Sequence, residues 1–124
     1  IQRAVDFYKD LDDEYHKMLS YYYLARIQEN TKEYSKAIIN LLKAEVSAKK
    51  INNYFYLGLI CRSFSDIYNN AYNSVESLNY AQKAYEYFQL SGYTNYADWG
   101  LWILVRHIII VRITIVVLRL DRKW

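Results

Sequence analysis

Apolar and small side chains recur along most of the chain at intervals of three and four residues. In the segment 21–44 they fall at Tyr21, Leu24, Ala25, Tyr34, Ala37, Leu41 and Ala44. Spacings of three, four and seven residues place side chains on one face of an α-helix, whereas a strand would alternate every second residue. The pattern therefore predicts helices that each bury one apolar face.

Short polar stretches interrupt this pattern and mark helix ends. They are "NTKEYSKA" at 30–37, "KKINN" at 49–53 and "QLSGY" at 89–93, and each contains asparagine or glycine, which are typical of helix termini. The acidic stretch at 10–14 is interpreted as a further turn, with its acids at the start of the next helix. The predicted helices cover 1–10, 14–30, 33–50, 53–70 and 73–90, and one more starts near residue 95.

The helical pattern repeats after forty residues. "IQRA" at 1–4 aligns with "LLKA" at 41–44 and "AQKA" at 81–84, and the same shift pairs Tyr21 with Cys61. A fixed period of this length is typical of arrays of helix pairs, whose units stack because none can bury its apolar face alone. Small residues at the shared sites allow helix axes to approach to about 8–10 Å.

The segment 21–44, "YYYLARIQENTKEYSKAIINLLKA", resembles the tetratricopeptide repeat and matches its signature at Tyr21, Leu24, Ala25, Ala37, Leu41 and Ala44. The segment 61–84 is similar at Phe64, Ser65, Tyr68, Ala81 and Ala84. It departs from the signature at Cys61, where the family has a bulky residue, and at Ser77, where it has alanine. Both copies lack the closing proline. The resemblance covers residues 1 to about 102, and the long period is similar to that of some bacterial sensor and regulator proteins.

The resemblance implies an all-α fold, a right-handed superhelix (TPR-like solenoid) of antiparallel helix pairs. As a single domain over 1–124, the chain would comprise the end of one repeat, two whole repeats and the start of another, at 1–10, 14–50, 53–90 and 95–124. The first residues look like the middle of a helix, and we interpret the chain as part of a longer protein.

In this family the first helix of each pair lines a concave groove. By that resemblance the groove residues are Leu19, Tyr22, Arg26, Glu29, Asn30, Leu59, Arg62, Asp66, Asn69 and Asn70. Tyrosine, arginine and asparagine are typical of peptide-binding surfaces, so the predicted function is a protein-binding or peptide-binding scaffold, such as the sensing part of a regulator. A solvated face with scattered polar residues is the alternative. Because Tyr22 and Arg26 replace the lysine and asparagine of the family's carboxylate clamp, a chaperone tail is not the expected ligand.

Catalytic and metal-binding motifs are missing from the sequence. His16 and His107 have no metal-ligand spacing around them, and the acids at 10–14 lack the alternating ligands and glycine of a calcium loop. The chain has a single cysteine, Cys61, so an internal disulfide cannot form. Cys61 stands at a position that is part of the core in the repeat, where a thiol is unreactive. We therefore expect no enzyme activity, cofactor or metal. The cellular compartment stays open.

The net charge of +3 comes from the end of the chain. Residues 1–105 hold 11 Lys and Arg against 12 Asp and Glu, whereas residues 106–124 hold 5 against 1. Only those last basic residues favour binding to a nucleic acid, and we do not expect such a partner. The N-terminal stretch 1–15 contains acids and no apolar run, so it is neither a signal peptide nor a membrane span.

The segment 103–120, "ILVRHIIIVRITIVVLRL", differs in composition from everything before it. Arginines at 106, 112 and 119 interrupt it, so it does not predict a membrane span, and a strand would find no partner among residues 1–100. Two interpretations stay open. In one, the segment continues a helix that packs on residues 73–90; in the other, a reading-frame slip has replaced a third repeat. An apolar helix here also suggests the alternative function, an oligomerisation module.

Overall fold

The computed structural model describes residues 2–122, with side chains given for residues 3, 6, 9–93 and 104–119. Five helices follow one another: α1 (Gln2–Asn30), α2 (Tyr34–Lys50), α3 (Tyr54–Asn70), α4 (Ser74–Ser91) and α5 (Thr94–Arg122). Within this range there is no strand. The predicted all-α fold class is confirmed.

The connections between the helices are short, and each contains a residue in the left-handed region. Lys32, Asn52 and Tyr72 have φ angles of 62°, 52° and 59°, and Gly92 has 81°. Glycine adopts this conformation at little cost and asparagine tolerates it, whereas lysine and tyrosine are unusual there. Residues 32 and 72 are forty apart, so the turn after α1 and the turn after α3 reverse the chain in the same way.

Asparagines also begin two of the helices. The side chain of Asn53 accepts a hydrogen bond from the backbone N–H of Tyr56, and Asn73 accepts one from Glu76, so both act as N-caps. These two caps account for the starts of α3 and α4. The helices predicted over 33–50, 53–70 and 73–90 start and end within one residue of α2, α3 and α4.

The predicted turn at 10–14 is wrong, because α1 is one continuous helix of 29 residues. Its acids are paired within or beside the helix: His16 Nε2 lies 3.4 Å from Asp12 Oδ1, and Glu14 lies 3.6 Å from Lys50 Nζ of α2. A hydrogen bond with Ser47 of α2 is the main cause of a lowered Glu14 pKa. The segment predicted as the end of a preceding repeat therefore runs without a break into the next helix; residue 1 lies outside the described range.

The first four helices form two antiparallel pairs. Between α1 and α2, Asn40 Nδ2 donates to Gln28 Oε1 at 2.7 Å, close to the turn that joins them. Between α3 and α4, Ser65 Oγ donates to the carbonyl of Ser77 at 2.8 Å, and Ser77 Oγ donates to that of Ser65 at 2.9 Å. Ala25 and Ala37 occupy the positions of these serines in the first pair, and both are buried. The small residues at the crossing therefore serve close packing in both pairs.

The core is continuous from the first pair to the second, because α2 also packs against α3. One buried cluster contains Met18, Tyr22, Ala25, Ala37, Leu41, Ala44, Ala48, Leu57, Ile60, Phe64 and Ile67. A second, smaller cluster lies between α3 and α4 and contains Cys61, Ala84 and Phe88. The larger cluster therefore takes residues from both pairs, whereas the smaller one belongs to the second pair alone.

The two pairs differ in the sizes of two core residues that face each other. The first pair has Met18 on α1 and Ala48 on α2, and forty residues later the second pair has Gly58 and Phe88. A Cβ atom at Gly58 would lie 2.5 Å from the Phe88 ring, which is closer than real contacts allow. By the forty-residue shift, the large residue thus stands on the first helix in the first pair and on the second helix in the second pair.

The helix α5 starts one residue before the predicted position and continues through the unusual segment 103–120, as the helical interpretation predicted. The expectation that this segment packs its apolar surface on residues 73–90 is wrong. Leu104 and His107 are half-buried, whereas residues 108–119 are exposed. By the forty-residue shift these two correspond to Phe64 and Ile67, which face the core on α3.

The reason for this exposure is the missing turn. The first and second pairs reverse direction at 31–33 and 71–73, directly after Asn30 and Asn70. The corresponding residue 110 is isoleucine, and it is followed by Val-Arg-Ile at 111–113, which continue the helix. At 29 residues α5 is about 43 Å long and extends past its neighbour α4. Of the helices in the described range, none has the length and hydropathy needed to cross a membrane.

Candidate functional site

The first helices of the two pairs, α1 and α3, lie side by side and run in the same direction. The ring of Tyr22 on α1 lies 5.6 Å from that of Tyr56 on α3, and one turn further along Arg26 Nη1 donates to Ser63 Oγ at 3.4 Å. Between these contacts the two helices form a continuous strip of side chains, here called the α1–α3 surface. It has an aromatic end and a charged end.

The aromatic end consists of Tyr15, Tyr22, Tyr23 and Tyr56. Their rings meet edge to face, with centroids 5.2 Å apart for Tyr22 and Tyr23 and 6.5 Å apart for Tyr15 and Tyr56. The hydroxyls of Tyr23 and Tyr56 share a hydrogen bond of 3.3 Å. Burial raises the pKa of both Tyr22 and Tyr56, so these phenols stay neutral. Because Tyr23 is 54% exposed, the end presents an aromatic ring with a hydroxyl to solvent.

The charged end consists of Arg26, Glu29, Arg62 and Asp66, grouped around Ser63. The Nη1 of Arg26 lies 3.1 Å from Glu29 Oε2. Burial raises the pKa of Glu29 in spite of that arginine, and the nearby Asp66 carboxylate raises it further. Burial also raises the pKa of Asp66, against the effect of Arg62 and Arg26. Two arginines and two incompletely solvated carboxylates thus interact at this end of the surface.

The helix α5 continues this surface beyond α3. Arg106 and His107 of α5, together with Asp66 and Asn69 of α3, line a cavity of about 50 Å³. This volume accommodates water but is well below the roughly 300 Å³ of a small-molecule site. Arg106 stands forty residues after Asp66. At the corresponding position α5 therefore has a basic residue and α3 an acidic one.

Half of the ten predicted groove residues are brought together on the α1–α3 surface. They are Tyr22, Arg26, Glu29, Arg62 and Asp66. Of these, Tyr22 is buried and belongs as much to the core as to the surface. That these side chains form a peptide-binding surface stays a prediction.

The other five predicted residues take different positions. Leu19 and Leu59 are half-buried and pack against the core cluster. Asn30 and Asn69 are exposed near the C-terminal ends of their helices. Asn70 donates to the Tyr34 hydroxyl at 3.4 Å and so connects α3 to the start of α2.

The sequence interpretation missed several residues of the site, namely Tyr15, Tyr23, Tyr56 and Ser63. A signal for most of them was present in their spacing. Tyr15, Tyr22 and Glu29 follow one another at steps of seven, and Tyr56 and Ser63 are also seven apart. Residues at that spacing lie on one side of a helix. These two rows are the sides that α1 and α3 turn toward each other.

Reactive groups are few in this structure. Burial raises the pKa of the Cys61 thiol to about 12, so the nucleophilic thiolate does not form near neutral pH. Among the residues whose side chains are described, no three His, Cys, Asp or Glu groups are placed to hold a metal ion. The α1–α3 surface offers hydrogen bonds, charge and aromatic contact, which are means of binding.

A scan against protein-family models, a search of curated proteins and a search of solved structures each return no match. Any functional assignment therefore rests on the chain's own residues and their geometry.

The raised pKa values predict how stability changes with pH. The folded state keeps protons on Glu29 and Asp66 at pH values where the unfolded chain, with ordinary pKa values near 4, has released them. The contribution of these groups to the free energy of unfolding therefore falls as pH rises above about 4. In the double variant Glu29→Gln, Asp66→Asn this contribution is absent, so its stability relative to the wild type should increase with pH. Urea unfolding from acid to neutral pH measures the difference.

An exposed carboxylate provides the control. A hydrogen bond from Thr31 is the main cause of a lowered Glu33 pKa, so this group gives stability that is lost as pH falls. Glu33→Gln should therefore shift the pH dependence in the opposite direction. If the stability difference between the double variant and the wild type did not change with pH, the two carboxyls would not be held as described.

Proposed function

We propose that this protein is a non-enzymatic scaffold that binds a segment of a partner protein along the α1–α3 surface. The observation that carries the proposal is the strip itself, where one aromatic and one charged end lie in a row on two parallel helices. Both ends keep exposed or half-buried polar groups that a ligand can contact. An extended peptide of a few residues matches such a strip better than a compact small molecule does.

We further infer that the helix pairs belong to a right-handed, TPR-like superhelix with this surface on its inner side. Three features support the inference: two antiparallel pairs related by a forty-residue shift, parallel first helices in contact, and small residues at the helix crossings. The position of Arg106 beside Asp66 is consistent with α5 as the first helix of a third pair. The sequence resemblance to tetratricopeptide repeats points to the same arrangement.

The chemistry of the strip indicates the type of peptide. Tyr23 and Tyr56 can pack against an aromatic or aliphatic side chain and bond to its backbone through their hydroxyls. At the other end, a ligand carboxylate can replace Glu29 as the partner of Arg26, because burial already opposes the charge on Glu29. We therefore propose a segment with an apolar anchor followed by an acidic residue.

Selection from a library of displayed short random peptides tests the proposal. The selected peptides should contain the anchor and the acid, and their affinity should be measured by fluorescence anisotropy. Tyr23→Ala and Arg26→Ala should each weaken binding by about tenfold or more, which corresponds to about 1.4 kcal/mol. The matched controls Lys36→Ala and Gln82→Ala, exposed on α2 and α4, should leave it unchanged. Failure to select any peptide, or equal effects of all four variants, would reject the proposal.

One observation supports a second candidate function, the assembly of several copies of the chain. Apolar side chains are exposed along α5, at Val105, Ile108, Ile109, Ile110, Val111, Ile113, Ile115, Val116, Val117 and Leu118. Soluble monomers rarely expose a contiguous apolar patch of this extent. Light scattering over a range of concentrations separates the two functions, since a monomer at every concentration would remove the assembly function.

A further inference from the structure

A regular apolar row runs along one side of α5, here called the α5 stripe. It consists of Leu104, Ile108, Val111, Ile115 and Leu118, which follow one another at alternating steps of four and three residues. This is the heptad spacing that lines the seam between two helices packed side by side. The last four of these side chains are between 43% and 57% exposed. The arginines at 106, 112 and 119 lie outside the stripe, so it is an uninterrupted apolar row with charges only beside it.

The fold determines the direction in which the stripe faces. Leu104 and His107 are half-buried, and His107 lines a small cavity together with Ser77 of α4. This side of α5 therefore faces α3 and α4. Ser77 is three residues after the start of α4, so α5 passes the turn at 71–73 about one helical turn after His107. From Val111 onwards the stripe continues on the same side of α5, beyond the ends of α3 and α4.

A second copy of α5 can lie along this stripe in one direction only. If it ran parallel and in register, its first half would need the space that α3 and α4 occupy beside Leu104. An antiparallel copy meets no such obstacle, because its end reaches the turn at 71–73 and its own α3 and α4 lie beyond the end of the first α5. The stripe is then covered by its own counterpart, as in a dimer with two-fold symmetry.

The distribution of charge favours the same orientation. Residues 104–119 contain three arginines and no acid, whereas residues 64–82 contain Asp66 and Glu76 and no lysine or arginine. Antiparallel packing brings Arg119 of each copy toward the partner's α3–α4 turn, where Glu76 is exposed. Parallel packing would place the two arginine-bearing ends together. Opposite charges that face each other across an interface favour one orientation over the other.

The surface available to such a dimer is sufficient. Tyr72, in the turn that the partner's α5 would reach, is 94% exposed. With roughly 100 Å² for each exposed aliphatic side chain of the stripe and roughly 200 Å² for this tyrosine, each copy contributes on the order of 600 Å². Two copies together then bury about 1,200 Å², which is the lower end of the range for specific interfaces.

We propose that two copies of this chain associate through an antiparallel pair of α5 helices, in which the α5 stripe of each copy covers that of the other. The end of each α5 lies against Tyr72 of the other copy. This inference rests on the second candidate function, assembly, and adds to it the number of copies, their orientation and the residues in contact. The dimer presents two α1–α3 surfaces, because α1 and α2 take no part in the contact.

Light scattering and analytical ultracentrifugation over a wide range of concentration test the contact. The wild type should form dimers, and Ile115→Asp, in the middle of the stripe, should raise the dissociation constant by about tenfold or more. Ile113→Asp is the matched control, since Ile113 is 58% exposed on the opposite side of α5, and it should change the constant by less than about threefold. Both positions are exposed in the single chain, so circular dichroism should show an unchanged helical content.

Disulfide cross-linking tests the orientation. A mixture of the Tyr72→Cys and Leu118→Cys variants should form a cross-linked dimer under mild oxidation, whereas Leu118→Cys alone should form little. Cys61 is 1% exposed, so the wild type should not cross-link. Cross-linking of Leu118→Cys with itself, or equal effects of the two aspartates, would overturn the antiparallel dimer and leave assembly by another contact standing. A monomer at every concentration would overturn both, and none of these outcomes concerns peptide binding to the α1–α3 surface.

Discussion

Replacing Phe88 with alanine is expected to lower the free energy of unfolding by about 3–5 kcal/mol. Phe88 is fully buried, and its ring fills the space above Gly58 between α3 and α4. Because α4 packs on α3 through this ring, the variant leaves a large cavity in the smaller core cluster. Urea unfolding measures the loss. Val75→Ala, at a position that is 70% exposed, is the control and should change stability by less than about 0.5 kcal/mol.

A partner substitution should recover part of that stability. Gly58→Met alone drives a side chain into the Phe88 ring and should cost about 1–3 kcal/mol or more, in spite of the better helix propensity of methionine. Together with Phe88→Ala it recreates the Met18 and Ala48 pair of the first unit. The double variant should then be more stable than the sum of the single effects predicts, by about 0.5–3 kcal/mol. Additivity within about 0.5 kcal/mol would contradict the size exchange.

Phe64→Ala is expected to cost a similar 3–5 kcal/mol, for a different structural reason. Phe64 is 1% exposed, stacks on Tyr80 at 4.7 Å and belongs to the core cluster that joins the two pairs. Its loss should therefore weaken both pairs, and hydrogen exchange should show reduced protection in α2 as well as in α4. Loss of protection confined to α3 and α4 would mean that the pairs unfold independently.

The sequence predicted α2, α3 and α4 closely because their ends depend on local chemistry. Asparagine caps such as Asn53 and the left-handed Gly92 can be recognised from residue type alone. The acids at 10–14 were taken for a turn, although nothing there stops a helix and Glu14 contacts α2 instead. An acidic residue fits both the start and the interior of a helix, so only its tertiary contacts distinguish the two.

The site was predictable in part, for reasons of geometry. The resemblance to tetratricopeptide repeats assigned Arg26 to a groove, and the forty-residue shift assigned Asp66 to the matching position of the next unit. It did not reveal that Ser63 and Tyr56 face α1, because this depends on how two helices distant in sequence rotate against each other.

The segment 103–120 shows how a missing turn alters a fold. The helix was predicted, but its exposure was not, because the prediction assumed a neighbour for every apolar side chain. The reading-frame hypothesis stays a prediction, and the coding DNA tests it. If the neighbouring frame contains stop codons or residues foreign to the repeat through this segment, the apolar helix is the native sequence.

The size exchange between the two pairs also determines which helices can recognise each other during folding. Similar neighbouring units carry a risk of mispairing, a common failure of repeat proteins. If α4 took the place of α2 beside α1, the two large side chains Phe88 and Met18 would meet. If α2 took the place of α4 beside α3, the small residues Ala48 and Gly58 would leave a void. Each first helix thus accepts its own partner and rejects the other. The same size differences that make the two repeats less alike in sequence therefore oppose the wrong pairing of helices during folding.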